Sequence, residues 1–168
     1  MLKSIVLVSF SQNESKSRFL MRISKRAEYG LRAMVALGPD RRTHSVKEIA
    51  ERAHVPRKFL EQLLLALKGA GLVTSTRGKD GGFSLRRSAS EITLADIVRA
   101  LDGPLAPLPC ASRSVETRCN DCPNLPGCWM REVMLEVRDA VAKVLEQHSL
   151  VQTCARAAET PRAPMYHI

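Results

Sequence analysis

Four cysteines fall within one short stretch, Cys110, Cys119, Cys122 and Cys128, in the spacing C-x8-C-x2-C-x5-C. Thiolates ligate soft metals and iron–sulfur clusters. The same stretch holds Pro104, Pro107, Pro109, Pro123 and Pro126, so neither helix nor strand is expected through it. Thiolate chemistry alone leaves open an iron–sulfur cluster or a structural zinc, for which C-x2-C is a common step. A redox disulfide pair is the third and smaller alternative. Cys154 stands apart, on an expected apolar turn near Leu150 and Val151, as a buried small hydrophobe. His44, His54, His148 and His167 show no ligand spacing and read as ordinary polar positions. No nucleophile–base constellation is present, so no enzyme is expected. The Gly-rich run Arg77–Gly82 lacks the GK[ST] ending of a phosphate loop.

The elements around this stretch must position it. Apolar periodicity predicts a first helix over Ser24–Leu37, ended by Gly38-Pro39, and a second opened by a capping box of Ser45 and Glu48. After the turn His54-Val55-Pro56, a third helix from about Arg57 to Ala70 carries the buried stripe Leu60, Leu63, Leu64 and Leu67. Leu72–Thr76 and Phe83–Leu85 read as a β-hairpin around the glycine turn. A fourth helix starts at Thr93, with Asp96 in the capping-box slot, and ends at Gly103-Pro104. Beyond the cysteines, Trp129 to about His148 is one long helix. Its Met130, Val133, Val137, Ala140 and Val144 follow a three-four alternation, the pattern of a helix–helix seam, here read as the seam of a homodimer. The fold class is therefore mainly α: a winged helix-turn-helix domain with a β-hairpin wing and a long C-terminal dimerisation helix.

Charge points to the partner. Of the net +9, residues 21–103 hold +7 (16 Lys and Arg against 9 Asp and Glu), and residues 104–168 are neutral. A basic module with a helix-turn-helix and a wing fits double-stranded DNA. Arg57, Lys58, Glu61 and Gln62 lie off the buried stripe near the start of the third helix, where side chains reach base edges. Arg77 and Lys79 at the wing tip suit a minor groove. No segment approaches the roughly 20 apolar residues that cross a membrane. Clustered thiols without a convincing secretory signal suggest a cytoplasmic protein.

Met21-Arg-Ile-Ser24, Ile49-Ala-Glu51, Phe59-Leu-Glu-Gln62, Leu67–Val73, Arg77–Leu85 and Ile92–Val98 together resemble the Rrf-two family of winged-helix transcription regulators, the IscR/NsrR/RirA type. The resemblance covers about Met21 to Gln152. It implies a homodimer on a palindromic operator, with the third helix in the major groove. It also implies an iron–sulfur cluster on Cys110, Cys122 and Cys128. Cys119 is then extra, and either it or Glu28 is a candidate fourth ligand. Glu28, counted from Met21, matches an acidic ligand that some relatives supply across the dimer. Arg131 stands where IscR-type members place a ligand histidine, so that mode is excluded. The expected organisation is an extension over 1–20 (with the true start at Met21), the DNA-binding domain over 21–103, the cysteine loop over 104–128, the dimerisation helix over 129–148 and a tail over 149–168, loose from Pro161. The expected function is a DNA-binding regulator controlled by its cluster. The alternative is a winged-helix regulator with structural zinc or a thiol switch, acting partly through a protein partner. An electron-transfer role would leave the basic module without a purpose.

Overall fold

A computed structural model describes residues 23–78, 80–114 and 127–159. The elements in chain order are α1 (Lys25–Leu37), α2 (Val46–Ala53), α3 (Arg57–Gly69), the strands β1 (Val73–Thr76) and β2 (Gly82–Leu85), α4 (Leu94–Asp102), a 3-10 turn (Pro109–Ala111), α5 (Trp129–Gln147) and α6 (Leu150–Glu159). The mainly helical winged fold expected from the sequence is the fold found. The extension over 1–20, Lys79, Cys119, Cys122 and the tail from Pro161 lie outside the described residues.

The core is the meeting point of the amphipathic stripes. Leu60, Leu63, Leu64 and Leu67 of α3 are buried, together with Met34 and Leu37 of α1, Ile49 of α2 and Ile97 of α4. Each such side chain contributes about 1.5–3 kcal/mol by leaving water. Gly30 lets α1 and α4 close on each other: a Cβ there would sit 2.0 Å from Cδ1 of Leu101. Ser24 caps α1 by accepting from the Ala27 amide at 3.0 Å, and its hydroxyl donates to Asp102 at the end of α4 at 2.5 Å.

The hairpin pairs Val73 with Leu85 through Thr76 with Gly82. The chain just ahead of the α2 cap completes it: His44 donates to the Phe83 carbonyl and accepts from the Phe83 amide, both at 2.9 Å. This joint has room for no side chain at position 82, since a Cβ there would lie 2.1 Å from the His44 carbonyl oxygen. The wing is thereby stitched to the helix-turn-helix. Of the two expected capping boxes, the one at Thr93 is complete, with Thr93 and Asp96 exchanging bonds of 3.0 and 3.1 Å. The one at Ser45 is half formed. Ser45 accepts from the Glu48 amide, but the Glu48 carboxylate turns instead to the His44 ring, 2.8 Å away.

Residues 150–159 are not an irregular tail, and Cys154 is not on a turn. They form α6, which packs on α1, with Leu150 fully buried and the Cys154 thiol directed at the Val35 carbonyl at 3.9 Å. A second S-x-x-Q box starts this helix: the Ser149 amide donates to Gln152, and the Gln152 amide returns a long bond to Ser149. The 148–150 step is also fastened to the start of α4. Leu94 donates to the His148 carbonyl at 3.0 Å, and Leu150 donates to the Ile92 carbonyl at 2.7 Å.

Candidate nucleic-acid interface and cysteine site

α3 begins at Pro56 without a side-chain cap, so the first-turn amides point outward. Arg57, Lys58, Glu61 and Gln62 are all exposed there, as expected, and Arg57 reaches Glu61 at 3.3 Å. Arg77 is exposed on the wing. Between wing and helix-turn-helix lies a groove of about 430 Å³ lined by Ser45, Lys47, Arg57, Thr76, Arg77 and Phe83. Three cations therefore share one concave surface. Lys47 was missed from the sequence; its position two residues after the Ser45 cap, in the first turn of α2, was the available signal. Leu65 is also exposed, at 62 %, farther along α3. It follows Gln62 by three residues and so extends the same face.

The cysteine stretch is placed by its two ends. Cys110 is buried in the 3-10 turn, and Cys128 is the residue that opens α5. Arg131, one turn along α5 from Cys128, donates its Nε–H to the Cys110 carbonyl at 3.0 Å. The Arg131 guanidinium thus ties the first cysteine to the helix that Cys128 opens. A second tie, Arg113 to Asp139 at 2.6 and 3.3 Å, joins the chain after the 3-10 turn to the middle of α5. These bonds from Arg113, with those of neighbouring Arg138, hold the Asp139 carboxyl below the usual carboxylate range.

Glu28 lies on α1, its two carboxylate oxygens 2.6 Å from Lys25 and 2.7 Å from Arg32. Among the described residues no group of three or more His, Cys, Asp or Glu converges as a metal site. Burial pushes the Cys154 thiol up, which fits a packing role.

The profile described as "Iron-dependent Transcriptional regulator", Rrf2, matches residues 23–156. The chain belongs to the Rrf2 family. An rrf2-like helix-turn-helix regulator of Rhodobacter capsulatus is 41 % identical over 120 residues, covering 68 % of this chain and 80 % of that one. The regulator CymR of Bacillus subtilis is 34 % identical over 154 residues, covering 88 % and 100 %. The solved structure of CymR, described as the global cysteine regulator of B. subtilis, has a TM-score of 0.63 over 82 % of this chain and 98 % of its own. That of T. potens IscR has 0.63 at 28 % identity, over 88 % and 97 %. Rrf2 proteins are DNA-binding transcription regulators and not enzymes. Among the described residues no helix is long and apolar enough to cross a membrane.

Proposed function

We propose that this Rrf2 regulator binds a palindromic operator as a homodimer and that its affinity is set by an iron–sulfur cluster held on Cys110, Cys122 and Cys128. Arg57, Lys58, Glu61 and Gln62 read the major groove, while Arg77 and Lys79 approach the neighbouring minor groove. The observation that carries the cluster reading is the Arg131 bond to the Cys110 carbonyl. It draws a buried cysteine to the first turn of α5, beside the helix that Cys128 opens. Thiolates shielded this way suit a soft centre. Cys119 fits as the fourth ligand better than Glu28, because ligation by Glu28 would displace Lys25 and Arg32 from its carboxylate.

Such a cluster would join Cys110, in the turn after α4, to Cys128 at the start of α5. The chain's own residues set what that tie controls. The far end of α5 is already fixed to α4 by the bonds at His148 and Leu150 and by Arg99 to Glu146 at 2.5 Å. Nearer its start, among the described residues, α5 is tied to the chain after α4 by Arg131 and, at mid-helix, by Arg113 to Asp139. Release of the loop biases the angle of α5 and so the separation of two recognition helices.

Protein purified without oxygen tests this. Visible absorption with iron and sulfide, lost in Cys110→Ala, Cys122→Ala and Cys128→Ala, is the expected result. Retention in Glu28→Ala and loss in Cys119→Ala would mark an all-cysteine site, and the opposite pattern would return Glu28 to the ligand set. A colourless protein with stoichiometric zinc, or equal operator affinity with and without the cluster, sinks the reading.

A further inference from the structure

His44 looks ordinary in the sequence but is 3 % exposed, with its ring Nε2 buried and no hydrogen-bond partner for that atom among the described residues. Its backbone makes both bonds that hold Phe83 of β2, and its carbonyl is the group that forbids a side chain at Gly82. The ring therefore sits under the only backbone stitch described between the wing and the start of α2.

The charged groups around this ring come from two elements. The segment between α1 and α2 brings Asp40 and Arg42; α2 brings Glu48 and Arg52. The wing contributes the Phe83 backbone, and no charged wing side chain is within ion-pair distance of the ring among the described residues. Nδ1 lies 2.8 Å from Glu48, an acceptor, so the proton of a neutral ring belongs on Nδ1. The approach of Arg52 Nη1 to the same nitrogen at 3.5 Å then sets donor against donor and is no bond; Arg52 pairs with Glu48 at 3.7 Å instead. A neutral ring leaves the Nε2 lone pair buried and unsatisfied. A protonated ring turns Nε2 into a donor facing Asp40 Oδ1, now 3.8 Å away.

We infer that His44 is a positioning residue for DNA binding whose protonation fastens the wing to the helix-turn-helix, so that operator affinity rises as pH falls. This rests on the DNA-binding reading. Protonation makes both ring nitrogens donors, one already at Glu48 and the other facing Asp40 at 3.8 Å, so the segment at Asp40 is drawn in toward the joint that carries Phe83. Both flanking carboxylates stay ionised through the range in which imidazoles titrate. The ring bond holds Glu48 below the usual range, and the Arg42 amide does the same for Asp40. Arg77 and the wing groove are then held against the DNA in a more defined place. The ring touches no DNA itself; it acts through the wing.

The test uses the full chain and a duplex selected by the protein from a random-sequence pool, at fixed ionic strength. Wild type should bind about fivefold more tightly at pH 6 than at pH 8, the lower end of ordinary coupling factors. His44→Asn keeps a donor toward Glu48 but cannot titrate, and its profile should be flat across that span. If His44→Asn does not fold, Asp40→Ala carries the test, because it removes both the acceptor and its charge and should lose most of the pH response. Ring ¹⁵N shifts and amide exchange at Phe83 supply the readout without DNA: Phe83 should be better protected once the ring is protonated. The proposal is overturned by a variant whose pH profile matches wild type, or by Phe83 amide protection that is the same at pH 6 and pH 8. Should wild type select no duplex at any pH, the DNA-binding reading fails, and the Phe83 exchange still decides what the ring does to the wing.

Discussion

Replacing Val144 by Glu should split the proposed dimer. In α5 only Ala142 is buried among 19 residues, while Met130 is 41 % exposed, Val133 44 % and Val144 54 %. A helix about 28 Å long with so little cover from its own chain needs another surface. Val144 is the better target than Val137, which is half buried in its own protomer, so a charge there would confuse folding with assembly. If a second copy covers Val144, burying the exposed half of each of two symmetry-related valines contributes roughly 1 kcal/mol per side chain. A glutamate in its place forfeits that and adds a desolvation penalty of several kcal/mol per ion, with a like charge opposite. A loss of about 3 kcal/mol or more follows, which weakens association by over ~100-fold. Sedimentation across a concentration series reads the dissociation. Circular dichroism checks that the protomer is folded, and Val144→Leu serves as a variant that should stay dimeric. Operator affinity should collapse with the dimer, since one recognition helix then meets one half-site. A Val144→Glu protein that remains dimeric at micromolar concentration and binds its operator normally would refute the seam.

Arg57→Ala and Arg77→Ala should each weaken operator binding by about tenfold and lower the slope of log affinity against log salt by about one phosphate contact, with melting unchanged; if both bind like wild type, the interface is misassigned. Gly82→Ala must move backbone, because its Cβ would lie 2.1 Å from the His44 oxygen. A cost of about 1–3 kcal/mol is expected, read as a fall in Tm of ~2–4 °C per kcal/mol. Gly69→Ala, which meets nothing within 4 Å, should be neutral or stabilising in the same assay. Cys154 should alkylate slowly near pH 8, because its raised pKa withholds the thiolate in the folded protein. The sign follows from that direction: the folded state favours the neutral thiol, so the stability it contributes is present at lower pH and is lost as pH rises past the ordinary thiol range. Equal alkylation rates in folded and urea-unfolded protein would contradict this.

The parts legible in the sequence are those governed by local periodicity and turn chemistry. The leucine stripe of α3, the Thr93 box and the glycine turn of the wing each declare themselves within a few residues. α6 was missed because several of its apolar positions are small alanines, which mark a buried face weakly, and its capping box ends in Gln152 after an unremarked Ser149. Glu48 shows the opposite failure: the local rule for a capping box was satisfied in letters, but a buried ring competed for its carboxylate and won. His44 could not be read as special, since its burial depends on Phe83 folding back from 39 residues away. The exposure of Arg57, Lys58, Glu61 and Gln62 was legible because it follows from the buried stripe opposite. The cysteines were legible only as donors, and no spacing rule says that Arg131 would hold the Cys110 carbonyl.

That last contact also constrains how any switch can act. α5 is held at its C-terminal end by backbone bonds to Ile92 and Leu94, which belong to the DNA-binding domain itself. Toward its N-terminal half the described ties are side-chain bonds, Arg131 to the Cys110 carbonyl and, at mid-helix, Arg113 to Asp139. Exposed ion pairs contribute little, ~0–1 kcal/mol, and the bond to the Cys110 carbonyl about 1–2 kcal/mol. The two ends thus differ in how firmly they are fixed, and the weaker end is the one beside the cysteines. A tilt of ~10° about the firm end would move the start of a 28 Å helix by about 5 Å, the rise of one helical turn. Under the proposed function, ligation at the cysteines would act where the least free energy is needed to move the longest lever, and the firm end would carry that movement into α4.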